Sequence, residues 1–460
     1  MRLVRTEMNM TEGPIAGKIV AFAVPLFFGN LFQQLYNTAD AFVVGNFLGD
    51  DALAGVSSTG SLIFLLVGFF SGLAMGAGVV ISKYYGAKDV AKMRTAIHTS
   101  FVFFAICGVL FSVIGAFGAR PMLQLMQTPS DVMGEALAYV RTYFAGLFTM
   151  IMYNVCMGIM QAVGDSVHPL IYLIISSVLN VGLDYLFIGW LKLGVFSAAL
   201  ATVISQFISV VLCLARLFTI KESYRIRFKD LKIDFKMLGQ IVKNGLPSGL
   251  QNSVISIANV VVQGHINYFG AEAMAGCGAF SKIEGFAFLP VTCFSMAITT
   301  FVSQNLGAGR PDRAKKGARF GVVTAVIIAE TIGVLMIVFA RYLIDAFTES
   351  EEALQFGIEK SRICCGFFFL CALCHCFAAV LRGAGRPVVA MAAMLVFWCV
   401  VRVSILFIFV PVTKTIHIVN WVYPITWFLC ASVLACYFFF ADWTGERKAA
   451  KLKAAAAVKE

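Results

Sequence analysis

Residues 25–49 read PLFFGNLFQQLYNTADAFVVGNFLG, a stretch inside a long apolar segment that nonetheless carries Gln33, Gln34, Asn37 and Asp40. At helical period, Gln33, Tyr36 or Asn37, and Asp40 fall at i, i+3/i+4 and i+7, so they line one face. An ionised carboxylate at bilayer depth costs about 2.5–3.5 kcal/mol on insertion scales. Such a group normally turns to a cavity or a partner, and it is a functional candidate by default. The bland alternative is a hydrogen bond from Asp40 to a neighbouring helix.

The composition of the whole chain says which solvent this helix meets. Of 460 residues, 60% are hydrophobic and only 13% charged, with a mean hydropathy of +0.85. Soluble domains run at about 45–50% apolar and 25% charged, so the chain reads as a polytopic membrane protein. Its first apolar segment is too long for a signal-peptide core and follows a polar N-terminus, with Arg2 and Arg5, that has no small-residue cleavage site; it reads as a retained span. A net charge of +11 would suggest nucleic acid in a soluble protein. Here the cations cluster between spans, as expected of loops facing anionic lipid, and no nucleic-acid partner is predicted. The 13 Cys residues lie almost wholly in apolar segments, where Cys behaves as a small hydrophobe, so no disulfide framework is read.

Apolar segments run at approximately 15–47, 52–83, 92–118, 131–163, 167–190 and 194–219, then at 237–269, 272–306, 315–347, 353–384, 388–411 and 416–443. This predicts an all-α integral membrane protein of twelve spans. Basic loops follow spans 2, 6, 8 and 10, and the tail adds Arg447, Lys448, Lys451 and Lys453, whereas the loops near Asp50 and Glu272 hold no Lys or Arg. By the positive-inside rule both termini are cytoplasmic. The expected organisation is an N-terminal lobe at 1–219, a basic cytoplasmic linker at 220–236, a C-terminal lobe at 237–443 and a basic cytoplasmic tail at 444–460.

An internal repeat organises these spans. Pro25, Asn30 and Asn37 match Pro247, Asn252 and Asn259 at a spacing of 222 residues. After a one-residue slip, Gly49, Ala52 and Gly55 match Gly270, Ala273 and Gly276, and Ser82, Gly86 and Ala87 match Ser303, Gly307 and Ala308. Each half therefore has six spans and enters the membrane the same way up. Parallel repeats build transporters whose lobes rock about a central site.

A second acid, Asp184, follows Asn180 by one turn in span 5, so both point the same way. Asn154 in span 4 and Thr202 in span 6 add polar groups. At the repeat spacing Asp40 falls on Val262 and Asp184 on Ile405, so the C-terminal half lacks both carboxylates. A purely structural role in a symmetric fold should recur in both halves, and this asymmetry favours function. Two carboxylates in a low-dielectric pocket repel, which favours a proton on one of them. Protonation would weaken any hold on a cationic substrate and bias one conformation, while sodium binding by the same oxygens is an alternative. In the C-terminal half Arg402 is a candidate substrate contact or gate, or else a partner of backbone carbonyls, and Glu284 is a further candidate. Lys282 lies two residues from Glu284 and does not share its face. The run CCGFFFLCALCHC, residues 364–376, spreads around one apolar helix and reads as packing, so no metal site is expected. No Walker A loop or nucleophile motif is present, so neither ATP-driven transport nor enzymatic activity is read.

QQLYNTADAFVVGNFLGDDALAGV, QAVGDSVHPL, NVGLD, AALATVISQ, TFVSQNLGAGRPDRAKK and LRGAGRP together resemble the multidrug and toxic compound extrusion (MATE) family over essentially the whole chain. The resemblance implies twelve helices in two six-helix lobes around a V-shaped cavity, and cation-coupled export of varied, often cationic, amphipathic compounds. Within the family the chain looks closer to the DinF-like branch, whose N-lobe acid in span 1 and Asn/Asp pair in span 5 match Asp40, Asn180 and Asp184. Gln33, Tyr36, Asn37, Asn154 and Thr202 match polar positions lining that branch's N-lobe cavity. The NorM-like branch also uses acids in spans 7 and 10, where this chain offers Asn259, Gln263 and His375 instead.

The expectation is a multidrug antiporter of the cell membrane that exchanges small organic compounds for protons, without a cofactor and as a monomer in the lipid bilayer. Ion-coupling residues would be Asp40, Asp184 and Asn180; cavity-lining residues Gln33, Tyr36, Asn37, Asn154 and Thr202. The alternatives are a sodium-coupled drug exporter, or a lipid-linked saccharide flippase of similar fold, which would need cationic groups for its phosphate.

Overall fold

The computed structural model describes residues 8–48, 50–125, 128, 130, 132–348 and 350–446, and all regular structure among them is helical. Arg2, Arg5, Gly49 and the cations of the basic tail lie outside the described residues. The helices are α1 (Ile15–Leu48), α2 (Asp50–Gly86), α3 (Val90–Leu125), α4 (Met133–Ala145), α5 (Leu147–Ala162), α6 (Val167–Asp184) and α7 (Phe196–Thr219). They continue with α8 (Phe235–Asn267), α9 (Ala271–Ala287), α10 (Leu289–Gly307), α11 (Pro311–Val338), α12 (Ala340–Asp345), α13 (Glu351–Cys365), α14 (Phe368–Gly383), α15 (Pro387–Met394), α16 (Arg402–Thr413) and α17 (His417–Phe440). A π-helix at Tyr185–Trp190 extends α6, and another at Leu395–Val401 joins α15 to α16.

Among the described residues nine helices are long and apolar enough to cross a membrane, and counting the bent pairs α4–α5 and α13–α14 as one span each gives eleven. The remaining expected span is α8. It is a helix of 33 residues in the seventh position, but Lys236, Lys243, Asn244, Gln251, Asn252 and Gln263 make it too polar to count as a span by composition.

Helix ends carry their own punctuation. Gly309-Arg310-Pro311 and Gly385-Arg386-Pro387 each place a left-handed glycine after one helix and a proline at the start of the next, the pairing that stops one helix and pre-sets φ for its successor. The left-handed positions also repeat along the chain: Lys88 and Gly309 (φ 56 and 67), Gly164 and Gly385 (φ 90 and 72), and Lys192 and Lys414 (φ 50 and 52). These pairs keep the spacing of the sequence repeat. The broken spans do as well, bending by 44° at Gly146 and by 53° at Gly366 and Phe367.

By contacts the chain forms two compact units, Met1–Met8 with Val24–Tyr85 and Asp89–Ser253, and Asn9–Ala23 with Gly86–Lys88 and Val254–Glu460. In the first, α3 packs on α4 and α5, and α7 on α4, α5 and α6, around a core that includes Phe104, Phe144, Ile151, Cys156 and Ala198. The segment 220–236 belongs to this unit and is docked on α3. Arg94 Nε donates to the Ser223 carbonyl (2.8 Å), Arg227 N donates to His98 Nε2 (3.1 Å), and Asp234 N donates to Thr99 Oγ1 (3.1 Å). The segment's own Tyr224 and Ile226 are buried. In the second unit α10 packs on α11 and α14, α9 on α13, and α14 on α17.

The bend at Gly146 is tightly filled: a Cβ there would sit 2.1 Å from Val203 Cγ2 on α7. At Gly366 a Cβ would make only ordinary contacts, 3.4 Å from the Arg362 carbonyl and 4.0 Å from Ile337 Cδ1. Gly146→Val is therefore expected to destabilise the protein by about 1–3 kcal/mol, the usual range for overpacking, while Gly366→Ala leaves it unchanged. Thermal unfolding of the two variants in detergent, followed by tryptophan fluorescence, checks the contrast.

Candidate functional site

Asp184 is the last residue of α6, and Asn180 lies one turn before it; both are completely buried. Serines bring α6 and α7 into close contact: Ser176 Oγ donates to the Ser205 carbonyl (2.9 Å) and Ser209 Oγ to the Tyr172 carbonyl (3.1 Å). Small polar residues of this kind allow close helix approach in lipid and satisfy their own hydroxyls across the interface. Asn180 Nδ2 in turn donates to Thr202 Oγ1 on α7 (3.4 Å), whose hydroxyl donates to the Ala198 carbonyl (3.1 Å). The π-helix that begins at Tyr185 directly after Asp184 is a further mark of a specialised position.

Asp40 on α1 is half-buried, and its carboxyl group lies close enough to that of Asp184 for the two charges to repel. Tyr36, one turn earlier, sits beside Gln33, Gln206 and Asp40. Tyr139 on α4 is near both acids and stacks on Tyr143, with ring centroids 6.4 Å apart. The hydrogen-bond balance of this cluster is one-sided. Asp40 Oδ1, Asp184 Oδ1 and Oδ2, Asn180 Oδ1 and Gln206 Oε1 are all buried acceptors without a donor among the described residues. A buried acceptor left unmet costs about 1–3 kcal/mol, more when charged. A proton on a carboxyl group, or a cation among the oxygens, would relieve that cost.

The structure thus groups Gln33, Tyr36, Asp40, Asn180, Asp184 and Thr202. Asn37 is exposed. Asn154 on α5 is half-buried and spends Nδ2 on the Met150 carbonyl of its own helix (2.9 Å). Sequence reasoning passed over Tyr139, Tyr143 and Gln206. Two signals were available: Tyr139 and Tyr143 are an i, i+4 pair in an apolar span, and Gln206 follows Thr202 by one turn.

In the other unit Arg402 is fully buried, and in place of the backbone carbonyls expected as its structural partners it meets a hydroxyl and two rings. Nε and Nη2 donate to Thr426 Oγ1 (3.3 and 3.0 Å), and the guanidinium lies 4.5 Å from the Tyr423 ring centroid and 5.3 Å from that of Trp398. Glu284 is half-buried, with Lys360 and Arg402 as its neighbouring charges, whereas Lys282 is exposed. In the Cys-rich run, Cys374 donates to the Trp427 carbonyl (3.3 Å) and His375 packs edge-on against Phe288 and Trp398. Among the described residues no group of three or more His, Cys, Asp or Glu side chains is placed to hold a metal.

The connection between α5 and α6 holds a separate charged cluster. Asp165, completely buried, accepts from His168 Nδ1 (2.8 Å) and Arg216 Nη2 (3.2 Å), and from the His168 backbone N (3.2 Å). Burial alone would raise its carboxyl pKa, but the bonds from His168 and the charge of Arg216 outweigh burial and hold it below the ordinary range.

The MatE family model matches this chain twice, at residues 25–186 and 247–408, with the offset of the internal repeat. The Probable multidrug resistance protein YoeA of Bacillus subtilis is 28% identical over 430 residues, covering 91% of this chain and 92% of that protein. The Probable multidrug resistance protein NorM of Thermotoga maritima is 24% identical over 432 residues, covering 93% and 92%. Among solved structures, one described as a crystal structure of MATE in complex with MaL6 superposes with a TM-score of 0.89 at 24% identity, covering 94% of this chain and 97% of that one.

The Asp165 cluster has a measurable signature. Its carboxylate stabilises the fold above the unfolded pKa of about 4, and that contribution fades as pH falls through the lower folded value. Asp165→Asn is expected to cost about 3 kcal/mol at pH 7, as for a broken buried pair. The gap between variant and wild-type melting temperatures should narrow below about pH 4; a gap independent of pH would mean that the carboxylate charge is not the source.

Proposed function

Because the chain belongs to the MatE family, whose members are membrane transporters and not enzymes, we propose that it is a secondary antiporter exporting varied organic, often cationic, compounds in exchange for protons. The printed names of both relatives, probable multidrug resistance proteins, support drug export. The observation that carries proton coupling is the pairing of Asp40 with Asp184, two acids whose side chains interact directly and whose buried oxygens find no donor from any other side chain among the described residues. The proposal includes the DinF-like branch, since the paired acids lie in the N-terminal half, and a monomer in the cell membrane with both termini cytoplasmic, as the basic loops suggest.

The acids couple the two fluxes by competition. Ionised, Asp40 and Asp184 offer a low-dielectric cluster of oxygens that favours an organic cation. Protonated from the outside, the cluster loses its charge and its hold on that cation, which leaves. Release of the proton inward restores the empty anionic site. Because proton and cation are each bound best when the other is absent, the proton gradient can drive the cation outward. Asn180, fixed by Thr202, and Tyr36 orient the carboxyls, while Gln33, Asn37 and Asn154 supply further polar surface. The same oxygens favour a second reading, sodium coupling, because carbonyl and carboxylate oxygens are the ligands that hard cations take.

Efflux of ethidium from proteoliposomes under an imposed pH gradient or an imposed sodium gradient separates the two. Wild type should follow the pH gradient. Asp40→Asn and Asp184→Asn should insert and fold but lose efflux by about tenfold or more, the effect of a 1.4 kcal/mol change in coupling. Dependence on sodium would keep the site and change the ion. Full activity in both variants would remove the acids from the mechanism.

A further inference from the structure

The second unit holds a cluster whose hydrogen-bond balance is opposite to that of the acidic one. Lys360, on α13, is 3% exposed, and its ammonium lies 5.6 Å from the Phe280 ring centroid and 5.5 Å from that of Tyr423. No hydrogen bond or ion pair reaches it among the described residues. Arg402, 2% exposed, lies against the same Tyr423 ring; it spends Nε and Nη2 on Thr426, and among the described residues no acceptor meets Nη1. The Trp398 indole N–H, next to Arg402, is a buried donor with no acceptor. Two cations therefore share the Tyr423 ring, and the Trp398 N–H lies beside one of them, with no acceptor for it among the described residues.

Charge points the same way. Glu284 is the carboxylate that faces both cations, and it pairs directly with neither. Glu359, beside Lys360 in sequence, is committed to His417 Nδ1 (2.7 Å) and Asn420 Nδ2 (3.0 Å). Two cations against one acid leave an uncompensated positive charge in a membrane-embedded helical unit. Cation–π contacts offset only part of the cost of burying such a charge, and intramembrane charges of this kind mark substrate paths. Lys and Arg donors beside aromatic rings match a carboxylate or phosphate carried on an apolar or aromatic body.

We infer that Lys360, Arg402 and Trp398 form a binding site for the carboxylate or phosphate of an amphipathic organic anion, so that the substrates of this transporter are not confined to cations. The site rests on the exporter reading only for the direction of transport. Its anionic ligand can come from solution or from a lipid headgroup.

The test is equilibrium binding to the full chain purified in detergent, using carboxyfluorescein as a soluble carboxylate and short-chain phosphatidic acid as a lipid phosphate. Ethidium serves as the control ligand. Lys360→Met and Arg402→Met should weaken anion binding about tenfold or more, the loss of a charge-assisted hydrogen bond. Trp398→Phe should weaken it about threefold, Lys360→Arg should retain it, and ethidium binding should hold throughout. Loss confined to phosphatidic acid assigns the site to a lipid headgroup; loss confined to carboxyfluorescein assigns it to a soluble anion. If the methionine variants also fail to bind ethidium, Trp398→Phe and Lys360→Arg, which preserve packing and charge, decide the matter. Anion binding indifferent to these substitutions, or absent from wild type that binds ethidium, overturns the inference. Failure of the exporter reading registers separately, as missing pH-driven ethidium efflux in wild type.

Discussion

Hydrocarbon offers no hydrogen bonds, and that constraint orders this molecule from its backbone to its charged side chains. Helices meet the backbone requirement within each segment, so nearly all of the described chain is helical. Side chains have no such internal solution. Most polar groups in the spans close back on their own helix, as Asn154 does on Met150 or Thr202 on Ala198. Among the described residues, acceptors that find no donor gather around Asp40 and Asp184, while the buried cations Lys360 and Arg402 share the ring of Tyr423.

The repeat survives in the backbone more faithfully than in the side chains. Left-handed turns recur at matched positions, and a bent span occurs at the same point of each half. Backbone geometry is shared because each half meets the same membrane with the same order of helices. Side-chain chemistry is free to diverge within it: where the first half has Asp40 and Asp184, the second has Val262 and Ile405, and it carries instead the cations Lys360 and Arg402. The duplicated scaffold holds buried clusters of opposite charge in its two halves, which suits a transporter of amphipathic compounds with differing headgroups.

Legibility in the sequence followed how local each signal was. Asp40, Asn180 and Asp184 were readable because polar residues in apolar runs are conspicuous and helical spacing predicts their shared faces. Arg402 was visible for the same reason, but its partners were not: Thr426 and Tyr423 lie a span away, and only the packing of α17 brings them within reach. Lys360 was passed over although it lies within the apolar segment 353–384; the rings of Phe280 and Tyr423, contributed by α9 and α17, lie over it. The segment 220–236 read as a basic linker from its charge, whereas its docking on α3 through His98 and Thr99 depends on contacts more than a hundred residues apart.

The sequence by itself determined the solvent, the helices, the repeat and the residues out of place in hydrocarbon, because insertion free energy and helix formation sum over neighbours along the chain. The tertiary structure alone decided which of those residues meet. Repulsion between Asp40 and Asp184, and the sharing of one tyrosine ring by Lys360 and Arg402, depend on distances between helices, which no local pattern encodes. That pairing separates an acid-lined cluster suited to protons and cations from a donor-lined cluster suited to anions.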